Sequence, residues 1–169
     1  MGGAIRILGL DPGLGRMGWG VIDMAGTRLT HVAHGVLTSN AKLELAMRLM
    51  ALHAAVSEVI AEHRPMAISV EQAFVAKDPS AALKLGHARA IALLAAAQAG
   101  LEIAEYAPNH IKKCVVGVGH AGKEQVMVMV KRLLPTAGVE AADAADALAA
   151  AITHAHLSGT RAKILAALA

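Results

Sequence analysis

Cysteine occurs once in the 169 residues, at Cys114, so no disulfide can form within the chain. That usage suits a reducing compartment and points to the cytoplasm. No cluster of Cys and His with zinc-site spacing is present. Aromatic residues make up 2%, with one Phe, one Trp and one Tyr, so Phe74, Trp19 and Tyr106 each stand alone of their kind. Trp19 and Tyr106 read as packing residues. A long hydrophobic run is also missing. The hydrophobic fraction is 56%, and mean hydropathy is +0.50. Yet the uncharged stretch Ala90 to Leu101 is mostly alanine, contains Gln98, and falls short of the ~18 apolar residues of a span. No charged segment leads into a cleavable apolar stretch at the N-terminus, so neither a membrane nor an export signal is expected.

What is present is one domain's length of chain, 1–169, with room for a full core. The net charge of +3 is unevenly spread. Residues 1–75 hold six basic and six acidic side chains, 76–135 hold eight and four, and 136–169 hold two and three. A basic middle between acid-bearing ends fits a polyanionic partner, though a solvated face looks the same.

Ile5, Ile7, Leu8 and Leu10 predict a buried strand, and Asp11 stands where Pro12-Gly13 ends it. Met17 to Ile22 and Arg28 to Leu37 alternate, completing an antiparallel meander. Ser39 or Asn40 is expected to cap a helix to about Glu62, with Leu45, Leu49, Leu52, Val56 and Ile60 on its buried side. Met66 to Val70 is a second short buried strand, ending in Glu71. Asp78-Pro79 opens a helix to about Gln98, stopped by Gly100. Its many alanines allow another helix to approach closely. Leu101 to Tyr106 is a strand, Asn109 caps a short helix Ile111 to Val116, and Lys123 to Leu134 is a further helix. The last long helix is expected from Ala141 to about Leu157. This order predicts an α/β fold: a mixed sheet with helices on both faces.

Asp11 and Glu71 both end hydrophobic strands, and parallel strands would set them at one edge of the sheet. Asp143 and Asp146 lie three apart among alanines, on one face of a helix. Acids in a first helical turn also complement the macrodipole, so the pair alone is open to a structural reading. Four gathered carboxylates repel and raise one another's pKa, and divalent cations remove that penalty. Oxygen ligands suit Mg²⁺ or Mn²⁺, and two ions ~3.5–4 Å apart can activate water and hold the leaving oxygen of a phosphodiester.

The chain resembles the bacterial RuvC-type Holliday junction resolvases of the ribonuclease H-like superfamily, from Ile5 to about Leu157. The carrying motifs are Leu8-Gly9-Leu10-Asp11-Pro12-Gly13, Val70-Glu71-Gln72-Ala73-Phe74, and Ala81 to Arg89. They continue with Lys112, Val115 to Gly119, Lys123 and Ala142 to Ala149. The resemblance implies a five-stranded sheet, three strands antiparallel and two parallel. It implies that Asp11, Glu71, Asp143 and Asp146 bind two Mg²⁺ ions, with Mn²⁺ able to substitute. It implies paired hydrolytic nicks in a four-way DNA junction, leaving 5′-phosphate and 3′-hydroxyl ends. It further implies a homodimer joined through the alanine-rich helix, working with a RuvA–RuvB branch-migration complex. Lys112 and Lys123 match family lysines beside the active site. Phe74 matches an aromatic that contacts junction bases, with Lys77, Lys84, Arg89 and Lys113 as further DNA contacts. His120, in the glycine link near Lys123, is a weaker candidate for orienting a phosphate. Leu14 and Met17 replace the family's Ser and Thr, which removes two hydroxyls from the turn. Two other classes remain in view: a junction-binding protein without catalysis, and an actin-like nucleotide-binding protein suggested by Asp11-Pro12-Gly13 alone.

Overall fold

A computed structural model describes residues 3–72 and 78–168. The chain starts with the expected meander, β1 (Ile5–Asp11), β2 (Arg16–Ala25) and β3 (Arg28–Thr38), paired antiparallel. Helix α1 (Leu45–His63) leads to β4 (Ala67–Glu71), which lies parallel to β1. Helix α2 (Pro79–Gln98) leads to β5 (Glu102–Tyr106), parallel to β4. Helices α3 (Pro108–Val116), α4 (Lys123–Leu133) and α5 (Ala142–Leu168) follow. The sheet order is β3-β2-β1-β4-β5, the mixed five-stranded arrangement that the sequence implies.

Side chains alternate across the sheet, and each set meets its own helices. Leu8, Leu10, Val21, Ile68 and Val70 pack with Leu52 and Val56 of α1 and with Ala88, Ala92, Ala95 and Ala96 of α2. Ile7 and Ile22 face the other way, onto Ile111, Val126, Val130, Leu148 and Ile152 from α3, α4 and α5. Helix α5 is buried on all sides from Ala147 to Ile152, which explains its uniformly apolar sequence there. It lies almost on the backbone of the sheet. A Cβ at Gly9 would overlap the Ala147 carbonyl oxygen and come to 2.8 Å from the Ala151 nitrogen. A Cβ at Gly18 would overlap the Asp143 carbonyl. Ser69 Oγ donates to the buried Ala150 carbonyl at 2.8 Å, tying β4 to the same helix.

Several expected helix starts differ. Helix α1 begins at Leu45, not after Ser39 or Asn40, and has no side-chain cap. Ser39 Oγ instead donates to the Leu14 carbonyl, and Asn40 accepts from the Lys42 N–H. Leu45 is accordingly exposed, while Leu52, Val56 and Ile60 are buried as expected. Asn109 lies inside α3, whose N-cap is Ala107. Asp78 does cap α2, accepting from the N–H groups of Ser80 and Ala81. Met66 is exposed just outside β4, and α5 runs on past Leu157 to Leu168.

Candidate active site

Leu10 pairs in register with Val70, so the next residues, Asp11 and Glu71, end neighbouring parallel strands side by side. Alternation puts Asp11 on the face of Ile7 and Gly9, and Glu71 on the face of Ser69. That is the face covered by α5. The N-terminal turns of α5 carry Asp143 and Asp146 to the same edge, because Gly18, the strand partner of Asp11, abuts the Asp143 backbone.

The four carboxylates sense one another. Burial pushes Asp11 up to about 8, helped by its hydrogen bond with Glu71 and by the charges of Glu71 and Asp143, and opposed by Lys123. Burial also raises Glu71; the hydrogen bond from Asp11 lowers it, and the charge of Asp146 raises it. Asp146 rises to about 6, first from burial, then from the charges of Asp11 and Asp143. A carboxyl pair sharing a proton is the expected response of close acids with too little positive charge nearby.

Two lysines supply part of that charge. Lys123 Nζ lies 4.0 Å from Asp146 Oδ2. It is the first residue of α4, where a cation opposes the helix dipole, so its placement serves the acids rather than the helix. Lys112, on α3, lowers both Glu71 and Asp146 electrostatically. The other predicted DNA contacts are placed differently. Arg89 is bound to Glu105, fastening α2 to β5 on the opposite face of the sheet. Lys84 is exposed on α2. Lys113 lines a hollow of about 610 Å³ with Asn109, His110, Cys114 and His120. Phe74 and Lys77 lie outside the described residues. Tyr106 and His154 are packing partners, with Tyr106 Oη 2.9 Å from His154 Nδ1.

Sequence reasoning missed Arg16. Its Nε donates to Asp143 Oδ2 at 2.7 Å. The signal available was position: Arg16 follows the turn after Asp11 and precedes the Gly18 that pairs with it. The two lost hydroxyls of the turn are also accounted for. Leu14 and Met17 are buried core residues, and the Leu14 carbonyl accepts from Ser39 and, at 3.4 Å, from Arg48. Among the described residues no three His, Cys, Asp or Glu side chains are set, as they stand, to close around one ion. The donor set still has the chemistry of a hard-cation site: four carboxylates, two of them with strongly raised pKa values, and no sulfur or imidazole among them.

The mixed sheet, the strand order and the acids on its α5 face define a protein of the ribonuclease H-like class. A model of the family described as Crossover junction endodeoxyribonuclease RuvC matches residues 7–154. The chain belongs to that family. The RuvC of Parvibaculum lavamentivorans is 59% identical over 98% of this chain and 94% of its own. That of Cereibacter sphaeroides is 55% identical over 98% of both. Thermus thermophilus RuvC, solved in complex with a Holliday junction substrate, superposes with a TM-score of 0.86 at 33% identity, covering 93% of this chain and 96% of that one.

Proposed function

We propose that this chain is a divalent-metal-dependent endonuclease that resolves four-way DNA junctions by paired, symmetric phosphodiester hydrolysis. The observation that carries the reading is the meeting of Asp11, Glu71, Asp143 and Asp146 on one edge of the sheet, where burial and then the charges of neighbouring acids raise the pKa values of Asp11, Glu71 and Asp146. Family membership over residues 7–154 supports the same activity. Residues 1–169 act as one nuclease domain. Asp11, Glu71, Asp143 and Asp146 would hold two Mg²⁺ ions, with Mn²⁺ able to replace them. When bound, the cations supply an activated water and charge neutralisation at the scissile phosphate.

The chain's own residues do the rest. The packed strands behind Asp11 and Glu71 fix both carboxylates before substrate arrives. Lys123 and Lys112 hold positive charge beside them, where negative charge grows on the phosphate during hydrolysis. Phe74 stacks on junction bases, and Lys77, Lys84 and Lys113 meet phosphates. Arg89 has its guanidinium on Glu105, which argues for a structural role in place of a DNA contact. Two symmetric cuts require two symmetric sites, so the working unit is a homodimer joined through the exposed side of α2. RuvA–RuvB is the expected branch-migration partner, and the cytoplasm the expected location. No helix among the described residues is long and apolar enough to cross a membrane.

The test is cleavage of a synthetic four-way junction beside a linear duplex of equal length, with and without Mg²⁺. The junction should be nicked symmetrically and only with metal. Glu71→Gln should bind the junction with unchanged affinity and lose cutting by at least about 10³-fold, as expected for a group acting at the reacting phosphate. Undiminished cutting by that variant would remove Glu71 from the site. Junction binding without cutting by the unaltered chain would favour a binding protein without catalysis.

A further inference from the structure

Arg16 leans from solvent onto a half-buried carboxylate: its side chain is 60% exposed, and that of Asp143 is 28%. The contact is direct, at 2.7 Å, between residues that lie 127 positions apart. The cation beside Asp146, Lys123, stands farther off at 4.0 Å. Asp11 and Glu71 answer each other.

The backbone builds this contact from both sides. Gly18, two residues after Arg16, lets the first turn of α5 settle on β2 at Asp143 itself. The turn before Arg16 is clamped. The Leu14 carbonyl accepts from Ser39 and Arg48, and the Gly15 carbonyl accepts from the Ser39 N–H at 3.2 Å. Arg48 is itself held by Ser39 Oγ at 3.1 Å. The guanidinium is thus delivered to Asp143 by a fixed scaffold, and only its exposed side chain is free to leave.

We propose that Arg16 is a stand-in cation, which occupies Asp143 in the metal-free site and yields when a divalent ion takes that carboxylate. The proposal rests on the metal-binding reading given above. The guanidinium and a divalent ion are drawn to the same half-buried carboxylate, and two cations brought together there repel, so Arg16 competes with metal rather than assisting it. Arg16 is then a positioning residue: it keeps Asp143 turned toward the turn after β1 until charge of higher valence arrives. By reciprocity, metal binding weakens the Arg16–Asp143 pair by the same factor that the pair weakens metal binding.

The test is direct Mn²⁺ binding to the full chain without DNA, measured by calorimetry and by the electron paramagnetic resonance of free Mn²⁺. An exposed ion pair of this kind is worth about a two- to fivefold change in affinity. Arg16→Gln should therefore tighten Mn²⁺ binding by about that factor. Arg16→Lys, which keeps the charge but not the guanidinium geometry, should fall between the two and serves if the Gln variant folds poorly. In an Asp143→Asn background the same Arg16 changes should have no effect, since the partner is gone. Unchanged or weaker Mn²⁺ binding by both Arg16 variants overturns the proposal. So does a tightening of equal size in the Asp143→Asn background, because that effect is only general charge. Failure of the unaltered chain and of every variant to bind Mn²⁺ would instead overturn the metal-binding reading, and this proposal with it.

Discussion

Asp11 closes a strand whose other members are almost all apolar, and its carboxyl is raised to about 8 chiefly by burial. In the unfolded chain it would ionise near 4. Between those values the folded chain holds a proton that the unfolded chain has released, so stability falls as pH rises through this window. Asp146, raised to about 6, acts with the same sign over a lower range. His31 and His154 are both lowered by burial and act with the opposite sign below their ordinary value of 6.5. From about pH 7 to 8 the slope therefore comes chiefly from Asp11 and its neighbour Glu71, and above that the Cys114 thiol, raised by burial, adds to it with the same sign. Thermal unfolding of the metal-free protein should show the melting temperature declining across this range, and saturating Mg²⁺ should flatten the slope. At pH 8, Asp146→Asn should raise the metal-free melting temperature by about 2–4 °C for each ~1 kcal/mol of repulsion relieved. A lowered value would mean that Asp146 holds a structural hydrogen bond. The four acids were legible in the sequence because each sits in a local pattern, a strand end or a run of alanines. Arg16 was not, because its partner comes from a distant part of the chain and nothing local marks the contact.

Helix α5 gains its position from the glycines beneath it. Gly9→Ala would drive a methyl into the Ala147 carbonyl, which is helix backbone and cannot swing aside. Overpacking of this kind costs about 1–3 kcal/mol. The melting temperature should drop by several degrees, and junction cutting should fall with it, since Asp143 and Asp146 ride on the displaced helix. Gly15→Ala meets nothing within 4 Å and serves as the control; an equal loss there would refute the packing argument. Element identity was readable from strand alternation and from the Asp78-Pro79 start. The first turn of α1 was not. Ser39 and Asn40 carry the chemistry of helix caps, but the fold commits Ser39 to the Leu14 carbonyl and Asn40 to a local turn. Capping residues announce a local hydrogen bond without saying whose N–H or carbonyl it serves.

At the scale of the whole molecule, part of the alanine bias of α2 is used within the chain, where Ala88, Ala92, Ala95 and Ala96 pack in the core. The opposite side of the helix leaves Leu83 66% and Leu94 48% exposed. In the dimer proposed above, those two side chains would meet the second copy. Sedimentation should give a dimer, and Leu83→Glu combined with Leu94→Glu should shift it toward monomer while circular dichroism stays unchanged. Paired cutting should decay into single nicks. A variant that remains dimeric would move the contact elsewhere.

The order of the elements along the chain has one more effect, in time rather than space. Asp11 leaves the ribosome well before Asp143 and Asp146. The helix that carries the later pair also fills one side of the core. On the proposed reading, a nascent chain therefore has neither a finished interior nor a complete set of acids, and it would be unable to cut DNA until α5 has emerged.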